Sequence, residues 1–150
     1  MRLRLAGVIP ASPERVWTVA ADWEGYPRWM PDVAWVRRVA GEPGVGLVLD
    51  VRTKVFGLPL VTDRMTVTEW EPPRVLGIRH EGVVSGPARW SLLPERGGAS
   101  TRFVWVEDLR LRFPVRALGE LGLLAYRPVL RLTFTLSMRN LARLASSGDH

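Results

Sequence analysis

Cysteine is absent from this chain, and histidine nearly so, with only His80 and His150. Without thiols there can be neither disulfides nor thiolate metal sites, and two histidines do not make a histidine-rich zinc site. No metal is therefore expected. Lysine is just as scarce: Lys54 is the only one, so the net charge of +6 comes almost wholly from arginine. The arginines form no run longer than Arg37-Arg38 and alternate with apolar residues. That spacing fits solvated strand faces, although guanidinium groups could also grip an anionic partner such as RNA or a lipid surface.

Long hydrophobic runs are missing as well. Pro10 and Pro13 interrupt the N-terminal run short of a signal-peptide core, and Arg127 and Arg131 break the longest C-terminal run short of a membrane span. A cytoplasmic location is the default expectation. No Gly-x-Ser-x-Gly elbow is present, and His80 has no recognisable serine or cysteine nucleophile beside it. The glycine-rich Gly41-Glu42-Pro43-Gly44-Val45-Gly46 lies between strands, with no helix start to receive a phosphate, so it reads as a hairpin turn. Neither covalent catalysis nor a cofactor is expected.

What is present is the composition of one globular domain spanning residues 1–150: 47% hydrophobic and 24% charged over 150 residues, with a short disordered tail expected at 146–150. Leu3 to Ile9 reads as a first strand. Ser12 can cap a helix over Pro13 to Ala21, with Pro13 at its first position and Glu14 favourable to its dipole. Asp22 to Pro31 allows a turn and one further short helical piece. Trp17, Trp23, Tyr26 and Trp29 fall within 13 residues, more aromatic surface than a hairpin exposes, so they should cover something apolar.

Six further strands follow, at Ala34 to Val39, Gly46 to Val55, Val61 to Trp70, Arg74 to Glu81, Ala88 to Leu93 and Ser100 to Arg110. Short turns between them predict an antiparallel meander. After Pro114 the period becomes about 3.6 and holds to Ala145, a long helix kinked or divided near Pro128.

This order, with Ile9-Pro10-Ala11-Ser12-Pro13-Glu14-Arg15-Val16-Trp17, Trp23-Glu24-Gly25-Tyr26-Pro27-Arg28-Trp29-Met30-Pro31, Thr68-Glu69-Trp70-Glu71-Pro72-Pro73-Arg74 and Gly97-Gly98-Ala99-Ser100-Thr101-Arg102, resembles the START-related, polyketide cyclase/dehydrase-like superfamily (SRPBCC, Bet v 1-like). The resemblance implies an α+β helix-grip fold: a curved seven-stranded antiparallel sheet gripping the terminal helix, with a ligand cavity between them. It implies no single activity, because the same shell serves lipid carriers, hormone receptors, aromatase/cyclases and quinone-binding proteins.

Strand alternation sorts the faces independently. Val61, Asp63, Met65, Val67 and Glu69 share one face, taken as the inner one, while Thr62, Arg64, Thr66, Thr68 and Trp70 share the other. Leu47, Leu49 and Val51 point inward by the same rule, as do Leu76, Ile78 and His80. Trp90 and Leu92, then Phe103, Trp105 and Glu107, complete the wall. Besides Glu69 near the end of its strand, three ionisable side chains thus stand on an apolar surface: Asp63, His80 and Glu107. A turn at Glu71 to Arg74 would set His80 opposite Met65 and diagonal to Asp63, close enough for an imidazole and a carboxylate to share a proton. The alternative is that both carboxylates stay solvated at strand ends and His80 sits satisfied at the rim.

On the terminal helix Tyr126, Thr133 and Asn140 recur every seven residues beside Val129, Leu136, Ser137 and Leu144. This stripe is expected to face the sheet, with Arg116, Arg127, Arg131, Arg139 and Arg143 opposite. It reads either as the wall of an amphipathic pocket or as small residues permitting close approach. Trp90 and Trp105 could stack on a planar ligand or simply fill the core. Trp17 is expected to anchor its helix to the sheet, and Tyr26, Trp29 and Met30 to lie near the opening.

Three functions follow as expectations. The first is binding or transport of a hydrophobic or amphipathic small molecule: a lipid, isoprenoid, quinone or polyketide. The second is a cofactor-free cyclase, dehydratase or isomerase with Asp63 and His80 as acid and base and Thr133 or Asn140 positioning an oxygen. The third is a ribosome- or quinone-associated role, since Tyr26-Pro27-Arg28-Trp29-Met30-Pro31 resembles the Tyr-Pro-x-Phe-x-Pro segment of the coenzyme Q-binding branch, with Trp29 where phenylalanine is usual.

Overall fold

The computed structural model describes residues 1–112 and 116–147. Strand β1 (Arg2–Ile9) leads through a Ser12 cap, whose side chain accepts from the Arg15 N–H, into helix α1 (Pro13–Ala20). A 3-10 segment (Trp23–Arg28) follows, then β2 (Val33–Ala40), β3 (Val48–Val55), β4 (Leu58–Glu71), β5 (Val75–Glu81), β6 (Val84–Glu95) and β7 (Ser100–Asp108). The pairing order is β1-β7-β6-β5-β4-β3-β2, antiparallel throughout. A two-residue strand β8 (Arg110–Leu111) raises the expected seven strands to eight by pairing with the start of β6. The single strand expected from Ser100 to Arg110 is thus interrupted. It breaks at Leu109, whose N–H goes to the Met1 carbonyl, and β8 then crosses beside Gly86, where a Cβ would collide with the Asp108 carbonyl.

Helix α2 (Arg116–Ser146) runs unbroken through Pro128 and lies over α1, β1 and β8. It takes in Ser146, the first residue of the expected tail; the last three, 148–150, lie outside the described residues. Trp29, Phe103, Leu92, Val16 and Leu141 form the centre of the core between sheet and helices, each essentially inaccessible to water.

Two sequence expectations fail for identifiable reasons. The first concerns β4. The strands pair as far as Glu71 opposite Val75, so the turn is one residue shorter than expected, and a β-bulge at Thr68 between Val67 and Glu69 takes up the difference. Met65 therefore does pair with His80 as expected, but the bulge reverses the alternation beyond it. Trp70 turns inward, edge-on to Trp17 at 5.2 Å, and Glu69 turns outward to meet Arg89 at 3.1 Å. Further bulges fall in the β2/β3 and β3/β4 pairings, whereas β5/β6, β6/β7 and β1/β7 are regular.

The second concerns the phase of α2. Its buried stripe is Leu123, Phe134, Ser137, Leu141 and Ala145, so the Tyr126, Thr133 and Asn140 stripe lies on the flank, half-buried. Arg127, Arg131, Arg139 and Arg143 are exposed as expected, but they share the outer side with Leu118, Leu121, Leu124 and Leu132, all more than half exposed. The first half of the helix carries leucines on every side and specifies no phase. Phe134 sets it, by stacking on Trp105 at 4.4 Å with the rings 13° apart.

Candidate functional site

A cavity of about 350 Å³ opens between the inner face of the sheet, the 3-10 segment and α2. Its wall is overwhelmingly apolar. Leu49, Met65, Ile78, Trp90 and Trp105 line it from the strands, Tyr26 and Met30 from the aromatic segment, and Tyr126 and Thr133 from the helix flank. Three expected lining residues stand elsewhere. Trp29 and Phe103 are sealed in the core behind the wall, where Trp29 packs against Tyr26, Trp90 and Trp105. Asn140 instead donates from Nδ2 to the Trp29 carbonyl at 3.2 Å, pinning the aromatic segment to α2.

The polar residues gather at one region of this wall. Asp63 and Glu107 are buried, not solvated, and His80 is mostly covered. His80 Nε2 lies 3.6 Å from Glu107 Oε1, an ion-pair distance too long for a hydrogen bond. The two meet across an intervening strand because β6 offers only Gly86 opposite His80 and Ala88 opposite Glu107. The same Glu107 oxygen accepts from Trp105 Nε1 at 3.0 Å. Among the described residues His80 Nε2 has no hydrogen-bond partner, so a ring nitrogen without a hydrogen bond is buried beside an apolar cavity.

Asp63 Oδ1 accepts from the Val83 N–H at 2.9 Å, tying the β5–β6 turn to β4. The carboxylate occupies the space a Cβ on Gly82 would take, which is why glycine stands there. Asp32, missed by the sequence reading, also lines the cavity. It sits between Met30 and Val33, both apolar contributors to the same wall; its nearness to Met30 is the signal the sequence offers.

Burial pushes the Asp32 carboxyl up to about 6, with Glu107 adding to the effect. Burial raises Asp63 too, against the Val83 hydrogen bond and His80. Burial alone would lower His80, but Glu107, Asp63 and Asp32 together outweigh it and hold the imidazole above its ordinary value of 6.5. An imidazole and the carboxyl groups of Asp63, Glu107 and Asp32 thus influence one another on one largely apolar wall.

Replacing Glu107 by glutamine should lower the His80 pKa relative to wild type, read from its imidazole resonances in an NMR titration. Because the folded value is raised, the His80 contribution to stability is complete below about pH 6.5 and is lost as pH climbs through that folded value. In Glu107→Gln the loss should move to lower pH; an unmoved His80 titration would show that Glu107 does not control it.

Residues 2–146 match the polyketide cyclase / dehydrase and lipid transport family. The chain belongs to that family. It is similar in structure to TTHA0849 of Thermus thermophilus, with a TM-score of 0.80 and 23% identity over 100% of both chains. The Zhui aromatase/cyclase of Streptomyces sp. R1128 superposes with a TM-score of 0.79 at 17% identity, over 97% of this chain and 93% of that one. A START superfamily protein of Mycobacterium smegmatis gives 0.69 at 18% identity, over 95% and 92%. At these identities the likeness is one of fold. No curated protein matches the sequence. Among the described residues no helix is long and apolar enough to cross a membrane.

Proposed function

We propose that the protein binds a hydrophobic small molecule carrying an oxygen function near one end. The observation that carries this reading is the buried His80 Nε2, which has an ion-pair contact to Glu107 but no hydrogen bond, at the polar region of an otherwise apolar cavity. An apolar cavity alone would accept any hydrocarbon of suitable size. A buried N–H without an acceptor costs about 1–3 kcal/mol, which a ligand carbonyl, phenol or hydroxyl would recover on binding. The apolar body of such a ligand would lie against Leu49, Met65 and Ile78, with Trp90 and Trp105 able to flank a planar portion. Family membership supports the same class of ligand.

Protein purified without delipidation should carry an extractable apolar molecule in native mass spectrometry and should bind an apolar fluorescent probe when emptied. Finding neither would remove this reading.

A second reading is favoured by one observation, the proton-holding groups around His80. A cofactor-free cyclase or dehydratase needs a base to take a proton alpha to a carbonyl and an acid to assist loss of water. His80 and Asp63 are the candidate pair, with Glu107 setting the state of His80 and Asp32 a further acid. Turnover of a polyketide-like substrate that survived both His80→Gln and Asp63→Asn would dispose of it.

A further inference from the structure

Two elements change character at the same end of the molecule. Along β4, the face turned away from the cavity carries Thr62, Arg64, Thr66 and Thr68, the ordinary polar dress of a solvated sheet; toward the β3–β4 turn the exposed residues become Leu60, left unpaired by the β3/β4 bulge, and Leu58, opposite Val55. These are 60% and 58% exposed, and Phe56 at the turn is 77% exposed. Along α2, the outward residues Arg139 and Arg143 of the second half give way in the first half to Leu118, Leu121, Leu124 and Leu132. The two apolar ends touch: the Phe56 ring meets Tyr126 edge-on at 5.2 Å. Phe56 and Leu132 are exposed and also line the cavity, so the patch is continuous with its mouth.

The charges around the patch are mostly basic, with Glu120, between Leu118 and Leu121, an exception. Between Val51 and Val61 there are Arg52 and Lys54 and no acid; from Leu121 to Ser147 there are four arginines and no acid. Arg127 and Arg131, exposed beside the apolar residues, have no ion-pair partner among the described residues. An apolar rim flanked by unpaired guanidinium groups complements a surface that is apolar within and anionic at its boundary.

We propose that this rim docks on a lipid bilayer carrying anionic headgroups, with Phe56, Leu58 and Leu60 entering the acyl boundary and Arg127 and Arg131 meeting the headgroups. Docking would place the mouth of the cavity against the apolar phase, so that an apolar ligand passes without crossing water. The Phe56–Tyr126 contact lies on that route.

The test is co-sedimentation of the intact protein with vesicles of phosphatidylcholine alone and of phosphatidylcholine mixed with phosphatidylglycerol. Wild type should bind the mixed vesicles more strongly, and added salt should weaken that binding. Phe56→Asp with Leu60→Asp should reduce binding at least about tenfold, the loss expected when inserted side chains become charged. Arg127→Gln with Arg131→Gln should remove the preference for phosphatidylglycerol. The substituted side chains are exposed, so thermal melting should be unchanged; Leu58→Ser is a milder variant should the double aspartate unfold. Wild type remaining in the supernatant with both vesicles would overturn the proposal, as would aspartate variants that bind as well as wild type. So would a dimer in sedimentation equilibrium that the aspartates dissociate without any vesicle binding. Vesicle binding needs no cavity ligand, and probe binding inside the cavity is measured separately, so failure of one reading is distinguishable from failure of the other.

Discussion

Replacing Trp29 by alanine should lower folding stability by about 3–5 kcal/mol, measured by denaturant unfolding, the largest effect of any single truncation in the core. Trp29 is 0% exposed, and its ring lies between 5.4 and 6.3 Å from those of Tyr26, Trp90 and Trp105. Truncation would leave a void that three rigid rings cannot close, at the point where Asn140 ties the aromatic segment to α2. The conservative variant separates packing from polarity. Trp29 Nε1 has no hydrogen-bond partner among the described residues, so Trp29→Phe loses ring area but also removes a buried orphan donor. It should cost less than about half of the alanine variant's loss. Phenylalanine is also the residue usual at this position in the segment that Tyr26-Pro27-Arg28-Trp29-Met30-Pro31 resembles. Equal losses for the two variants would mean that the indole N–H does find a partner.

Ile78→Trp should abolish probe binding, a loss of at least about tenfold or 1.4 kcal/mol, while leaving the protein folded. Ile78 lies on the wall of the cavity, half-buried because part of its surface faces that space. Tryptophan suits a β-strand and would expand into the cavity instead of into packed neighbours. Isothermal titration and a melting curve on the same sample give both quantities. Undiminished binding in a folded variant would move the ligand elsewhere.

Much of this is legible in the residues, and the failures have physical causes. The strand faces on both sides of His80 can be sorted because an alternating strand has only two choices and one buries Met65 and Val67. The bulge at Thr68 is not legible, since nothing in Thr68-Glu69-Trp70 distinguishes a bulged residue from a paired one until the partner strand is in place. It costs the placement of Glu69 and Trp70 and nothing before them. The helix phase fails because Leu118 to Leu132 supplies apolar residues in every direction; the choice is made by Trp105, on another element. Asp32 escapes notice because it belongs to no strand face, and its burial comes from the fold around it. Trp29 and Phe103 are recognisable as inward-pointing, but pointing inward does not decide between a cavity wall and the packing behind it.

The bulges divide the sheet into two mechanical halves. Every register shift falls in the β2–β3–β4–β5 pairings, while β5–β6–β7–β1 runs without interruption. The regular half carries Trp105 and so fixes α2, and the irregular half supplies Leu49, Val51 and Met65 to the cavity wall. Bend and volume can therefore be altered, by inserting or removing a single residue in β2, β3 or β4, without disturbing the platform on which the helix rests. A fold built this way can be refitted to ligands of different size from one side only.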